Sequence, residues 1–383
     1  MKKTKFLIIH PSKRAFYGID YVNSKFLQNI LDKIGYKTIP FKEKLFLKSL
    51  HNFSTENILR KVLILFRVLL FVLRYKILKY NYVISFNAKT ILNYGVIYKN
   101  NYFNIFSNLL NKETILKWDH INEQIPLIRK TFEGNYNIKK IYFNLRKNFY
   151  HFTNFNYPKK INFDKFNFNK LNGLNFYFIL KYTKKRRYFK KKDLCLCGYL
   201  NSDINLNPEQ HRLFNTLNFK QNYRFKLKTK NLGNLYYEFK KRRILQNLHS
   251  VDFVGKEQKN QKLLFKNINK NHNYADFLKK VSNEYKFVIN PVNPINELKT
   301  FKLLSIFYFG GFCLEERSSS LQQFSFLNKF DRYIYYNNVS DLKKKISILK
   351  KNVKLYNKIK DEIKVFAASI VENSEKKFLK KFK

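Results

Sequence analysis

The chain reads as an α/β protein of two layered domains, each built on a parallel sheet. Three observations lead there. Continuous apolar runs at Lys5-Phe6-Leu7-Ile8-Ile9 and Phe287-Val288-Ile289 suit strands buried on both faces. The segment Phe287 to Asn338 alternates strand, helix, strand, helix, strand with connections of a few residues, as a parallel layer requires. Finally, 383 residues with 45% hydrophobic and 18% aromatic content can fill two cores of ordinary size.

In order, Lys5 to Ile9 is the first strand, and a turn containing Gly18 leads to a helix from about Tyr21 to Ile34, stopped by Gly35. Gly18 suits a close backbone approach to a ligand, or simply a turn. Tyr36 to Phe41 is the second strand, Tyr82 to Phe86 the third, Thr114 to Trp118 the fourth and Phe149 to Phe155 a fifth. Ile58 to Leu78, ILRKVLILFRVLLFVLRYKIL, is the most apolar segment. Its arginines at 60, 67 and 74 recur every seven residues and form one basic stripe. Charges at that spacing exclude a spanning helix. The favoured expectation is a buried domain helix with snorkelling arginines, the alternative a helix lying in the plane of an anionic membrane.

Tyr157 to about Lys192 reads as irregular, and the basic run Lys184 to Lys192 marks a domain boundary near 185–190. Leu194 to Gly198 opens the second domain, and Pro208 to Leu217 follows as a helix with Pro208 near its first turn. Arg224 to Leu227 and Val251 to Val254 are weaker strands flanking a basic helical stretch, Tyr236 to Gln246. A short amphipathic helix, Tyr274 to Val281, leads into the Phe287 strand. The next helix runs from about Asn296 to Tyr308 and ends at Gly310-Gly311, and Phe312 to Glu315 is again a strand. Ser318-Ser319-Ser320 offers N-cap candidates for another helix, and Tyr333 to Tyr336 is the last strand. A Lys-rich helix from Val353 closes the chain. The domains expected are 1–187, 188–352 and a terminal basic helix, 353–383, packing back on the domain junction.

Lys299-Thr300-Phe301-Lys302, then Gly310-Gly311-Phe312-Cys313-Leu314-Glu315-Glu316-Arg317-Ser318, then Tyr335-Tyr336-Asn337-Asn338 and Ser340-Asp341-Leu342, occur in one order over roughly 60 residues. Together they resemble the C-terminal half of GT-B glycosyltransferases of the "glycosyl transferases group 1" type. The resemblance implies a GT-B fold, two Rossmann-like domains facing a cleft, and a nucleotide-sugar donor held by the second. It implies donor contacts from Gly198, in a Gly-aromatic turn, from Arg212 near the following helix start, and from Lys299, Thr300, Lys302, Gly310, Gly311, Glu316 and Arg317. One position departs: Lys302 stands where the family usually carries a Glu that helps hold the donor nucleotide. A degenerate transferase that binds sugar nucleotide without turnover is therefore a further reading.

For catalysis, Asp119 and His120, with Glu123 close by, follow the fourth strand beside the sole tryptophan, Trp118. The carboxyl end of a strand is where α/β proteins place chemistry, and either residue suits a general base on an acceptor hydroxyl. A solvated loop is the equal alternative. None of the eleven aspartates is followed by another two positions later, so the D-x-D pair of metal-dependent transferases is missing. The expectation is a site with no metal or cofactor, in which helix N-termini and basic side chains meet the diphosphate. No G-x-G-x-x-G, Walker A or G-x-S-x-G sequence occurs, which removes the usual support for dinucleotide oxidoreductases, P-loop NTPases and α/β hydrolases.

The net charge of +50 is spread along the chain, not gathered in one stripe. It fits a compositional bias with attraction to an anionic membrane better than a nucleic-acid footprint, although a basic nucleic-acid-binding α/β protein is the competing class. Three cysteines make no disulfide framework, and MKKTKFLIIHPSKR has too short an apolar run for a signal peptide. The expected location is cytoplasmic, peripheral on the cytosolic membrane face. The expected partners are a nucleotide-sugar donor and a glycan, lipid-linked or protein acceptor.

Overall fold

The computed structural model describes residues 4–10, 19–42, 57–60, 62–63, 66, 70, 73, 80–85, 113–117, 149–152, 169–170, 177–184, 192–216, 230–267, 273–292, 300–317 and 325–382. The chain falls into two compact units. One comprises Met1–Thr153, Lys159–Asn175 and Lys376–Lys383; the other comprises Asn154–Pro158 and Phe176–Glu375.

The first unit holds β1 (Lys5–His10), α1 (Ile19–Lys33), β2 (Lys37–Lys42), β3 (Tyr82–Ser85), β4 (Glu113–Lys117), β5 (Phe149–Phe152) and β6 (Asn169–Lys170). These strands form one sheet in the order β2-β1-β3-β4-β5-β6, parallel at every described pairing. Pro40 is tolerated in β2 because that strand lies at the sheet edge. Leu27, Ile30 and Leu31 of α1 are buried at helical spacing, as are Phe6, Leu7 and Ile8 of β1. The helix ends in a Schellman turn: Gly35 takes φ 97° and Tyr36 N donates to Leu31 O at 3.0 Å. Phe6, Tyr36, Tyr82, Phe378 and Phe382 then form an aromatic cluster, with the Tyr82 and Phe382 ring centres 4.8 Å apart.

The buried-helix expectation for the 58–78 segment is overturned where it is described. Residues 58–60, 62, 63, 66, 70 and 73 are helical, yet their apolar side chains are exposed, Leu59 by 76% and Phe66 by 57%. Apolarity all round a helix signals burial only if neighbours exist to cover each face, and here one face has none among the described residues.

The second unit opens with a 3₁₀ helix, Tyr177–Tyr182, inside the stretch expected to be irregular; Tyr177, Phe178 and Leu180 are its buried residues. There follow β7 (Lys192–Asn201), α2 (Pro208–Thr216), α3 (Lys230–Asn247), β8 (Val251–Lys259), β9 (Lys262–Lys266), α4 (Tyr274–Glu284) and β10 (Tyr285–Asn290). Then come α5 (Thr300–Tyr308), β11 (Phe312–Glu316), α6 (Asp331–Ile334), β12 (Tyr335–Tyr336), α7 (Val339–Lys351) and α8 (Val353–Phe382), of which the residues to Glu375 belong to this unit. The sheet order is β12-β11-β10-β7-β8-β9, parallel except for the β8–β9 hairpin.

That hairpin has no clear signal in the sequence. Its two-residue turn, Asn260-Gln261, has φ of 50° and 59°, the left-handed pair a tight hairpin needs, but Gln in place of Gly hides it. The last strand is also shorter than expected, since Tyr333 and Ile334 end α6 and only Tyr335 and Tyr336 pair with β11. Asn338 caps α7 by accepting from Asp341 N at 2.9 Å. Within this unit Tyr356 of α8 packs against Phe287 and Phe312. Gly18, the Arg224 to Leu227 strand and Ser318–Ser320 lie outside the described residues.

Gly198 and Gly255 face each other across β7 and β8, both at φ 151°. A Cβ on Gly255 would stand 1.8 Å from Gly198 O, so no side chain fits without parting the strands. Gly255→Ala is expected to cost ~3 kcal/mol or more, read as a lower urea midpoint for the second unit. An unchanged midpoint would mean that the strands separate freely there.

Candidate functional site

In the second sheet the chain runs outward from β7 to β8 and β9, then returns to the other side of β7 with β10 and continues to β11 and β12. The order therefore reverses between β7 and β10. A parallel sheet opens a crevice at the carboxyl ends of the strands flanking such a reversal. Cys197 and Gly198 stand there from β7, and Asn290 from β10.

Lys302, in the first turn of α5, fills this crevice. Its Nζ donates to Cys197 O at 2.5 Å and to Asn290 Oδ1 at 2.7 Å, and the residue is only 9% exposed. The ammonium is held above the usual lysine range. Burial works against the charge, and the negative charge that Cys197, Tyr274, Tyr237 and Cys313 carry once ionised outweighs it. At neutral pH Cys197, Cys313 and Tyr237 are protonated, because burial pushes both thiols up and Tyr237 up to about 12. The two accepting oxygens and the nearby Glu315 carboxyl then sustain the cation.

Asn290 passes the contact on, its Nδ2 donating to Glu315 Oε2 at 3.2 Å. Glu315 is buried, and desolvation raises it to about 7 against the opposing pull of Asn290 and Lys302. Beside it, Glu316 accepts from Lys240 Nζ at 2.7 Å and from Val292 N at 2.9 Å, while Lys240 also donates to Val292 O at 2.8 Å. The next lysine, Lys241, donates to Tyr199 O and to Glu238, and burial brings it down to about 8. Arg242 Nη2 reaches Asn201 O at 2.8 Å. The basic run of α3 thus grips the carboxyl ends of β7 and of the β10 and β11 pair. Among the described residues, the buried Tyr336 hydroxyl has no hydrogen-bond partner, and it belongs to the same neighbourhood as Glu316.

Of the residues singled out from the sequence, Gly198, Lys302 and Glu316 come together here. An ideal Cβ on Gly198 would lie 4.0 Å from Lys302 Nζ. Arg317 is just beyond, paired with Asp331. Gly310 and Gly311 are not brought to this place. They precede β11 at its amino end, where Gly310 takes φ 74° to end α5 and Gly311 packs on Ile306 and Ser282. Arg212 is an exposed residue of α2, and Thr300 begins α5. Lys299, Asp119, His120 and Glu123 lie outside the described residues.

Asn290, Glu315 and Lys240 escape a reading of the sequence alone. Glu315 ends a run read as strand and Glu316 follows it, and nothing local shows that both become buried. In the first unit, His10 ends β1 beside the corresponding reversal between β1 and β3. Its ring nitrogens lie 2.8 Å from Ser24 Oγ and 2.9 Å from Gln28 Oε1. Among the described residues no group of three or more His, Cys, Asp and Glu side chains is placed to hold a metal ion. A cavity of about 370 Å³ lined by Leu194, Leu248, Ile346 and Lys350 lies toward the amino end of β7, away from the cluster.

No protein-family model matches the chain, and no curated protein does. Among solved structures it is similar to a glycosyltransferase from Rickettsia africae ESF-5, at 11% identity and a TM-score of 0.43, covering 100% of this chain and 98% of that one. It is also similar to the spinosyn rhamnosyltransferase SpnG solved with thymidine diphosphate, at 9% identity and a TM-score of 0.31, covering 97% and 96%. At these values the chain's own residues must carry any functional reading.

Two outcomes test the cluster. Glu315 binds its proton more tightly folded, at about 7, than unfolded, at ~4.3. Its contribution is whole below the unfolded value and is lost as pH rises through 7. Glu315→Gln is therefore expected to change stability little at pH ~4 and to raise it by up to ~3 kcal/mol at pH ~8, measured by urea titration at both. Lys302→Glu, which restores the acid of the resembling sequences, faces two acceptor oxygens and Glu315. It is expected to destabilise the unit by more than ~3 kcal/mol; wild-type stability would show a water-filled crevice instead.

Proposed function

We propose that the chain is a nucleotide-sugar-dependent glycosyltransferase of GT-B architecture, acting without a bound metal. It transfers a sugar to a glycan, lipid-linked or protein acceptor on the cytosolic side. One observation carries this reading. The runs that resemble the donor half of such enzymes, around Lys302 and from Gly310 to Arg317, deliver Lys302, Glu315 and Glu316 to the reversal point of a parallel sheet, beside Gly198. A departing nucleotide diphosphate gains negative charge as the sugar becomes oxocarbenium-like, so cations at that position favour the transition state. Among the described residues, Lys240 and Lys302 supply positive charge there, each already held by oxygens of the chain, and Glu316 is the acid for a ribose or sugar hydroxyl. In the first domain, Asp119 and His120 are proposed as the base acting on the acceptor hydroxyl.

A second reading is favoured by Lys302 itself. Its ammonium is already bonded to Cys197 O and Asn290 Oδ1, so the crevice is plugged by the chain's own charge. A protein of this kind binds sugar nucleotide without turning it over.

Thermal shift with UDP-, GDP- and dTDP-sugars, followed by turnover assays, separates the readings. Stabilisation by one nucleotide sugar but not by the free sugar, with product formed, is expected for a transferase. Binding without product selects the second reading. No response to any nucleotide, together with salt-sensitive binding of DNA or RNA, overturns both. Because Glu316 pairs with a Lys240 that is itself mostly covered, Ala at 316 would cost stability as well as activity. Glu316→Gln keeps an acceptor for Val292 N and Lys240 Nζ and is expected to lower kcat/KM about 100-fold with a smaller loss of melting temperature than Glu316→Ala. Unchanged turnover would remove Glu316 from the site.

A further inference from the structure

The helical residues between 58 and 73 expose an apolar face that nothing in the first unit's described core uses. Asn57 caps this helix, accepting from Arg60 N at 3.0 Å. Leu59, Val62, Leu63, Phe66, Leu70 and Leu73 are 76, 58, 50, 57, 51 and 44% exposed. At 3.6 residues per turn these six fall within about 100° of arc. Every charged residue from Ile58 to Tyr80 is basic, Arg60, Lys61, Arg67, Arg74, Lys76 and Lys79, with no acid among them. The heptad spacing of the three arginines runs along one edge of the apolar arc in an ideal helix.

We infer that this helix docks in the plane of an anionic lipid bilayer, burying the Leu59 to Leu73 arc among acyl chains while the positive charge of the stretch attracts the headgroups. Two properties must be met by one host. The arc requires an apolar interior, which nucleic acid does not offer, and the basic edge on a chain of net charge +50 requires negative charge. A second copy would bring the same excess of positive charge to the contact. The helix lies on the surface and does not cross it, because Arg60, Lys61, Arg67 and Arg74 would place charges in the bilayer interior. Docking of this kind needs no sugar nucleotide, so it stands or falls separately from transferase activity.

Flotation with vesicles of phosphatidylcholine alone and of phosphatidylcholine with phosphatidylglycerol tests it on the full chain. The wild type is expected to float with the anionic vesicles at least about tenfold better than with the neutral ones. The variant Leu63→Ser/Phe66→Ser/Leu70→Ser is expected to lose at least about tenfold of that binding while keeping its far-UV spectrum, since the three side chains are exposed. Should that variant fail to fold, Phe66→Trp supplies a second readout: a blue-shifted emission on anionic vesicles, quenched by lipids brominated in the acyl chain. Failure of the wild type to float, full binding by the folded serine variant, or emission from the Phe66→Trp variant that the brominated lipids leave unquenched overturns the inference. So does a dimer in light scattering that the serine substitutions dissociate while flotation is unchanged.

Discussion

The second unit depends on a buried ammonium at the place where its sheet reverses direction. Lys302 reaches from α5 to a carbonyl on β7 and a side-chain oxygen at the end of β10, the two strands that diverge there. Without that cation Cys197 O and Asn290 Oδ1 would lose a donor in a low-dielectric setting, a costly change for each. With it, the contact continues through Asn290 to Glu315. A parallel link runs from Val292 through Glu316 to Lys240. Charge balance among three lysines and three acids inside a nearly dry space makes the cluster sensitive to any single change of sign.

Close strand approach makes this possible. The Gly198–Gly255 pair lets β7 and β8 meet without side chains at the level of Lys302. Further along, the basic residues of α3 do not repel one another into solvent. Three of them find an oxygen at or just past a strand end: Lys240 on Val292, Lys241 on Tyr199, Arg242 on Asn201. Part of what composition registers as unspecific positive charge is therefore structural, holding carboxyl strand ends whose carbonyls would otherwise lack partners.

The helix around Phe66 shows the opposite case, in which charge is left for the outside. Its apolar side chains could fill a core as well as any in the chain, and periodicity alone does not distinguish a covered face from a bare one. The decision rests on which neighbours reach it. The same holds for Glu315 and Glu316, successive residues on a strand that point to opposite faces and are nonetheless both buried.

The sequence by itself determined the layered α/β class, most strand cores and the helix stops. Apolar runs, Gly35 and Gly310 act through local sterics and burial preference, which need no distant partner. The resemblance of its motifs to those of GT-B transferases also marked Lys302 as the residue out of pattern. Only the tertiary structure decided what Lys302 touches, that Glu315 and Glu316 are both buried, and that the Asn260-Gln261 turn closes a hairpin. Those outcomes turn on strand order and on contacts between residues as much as 105 positions apart, such as Lys302 with Cys197. No local propensity encodes a partner at that distance; the sheet's reversal brings it within reach.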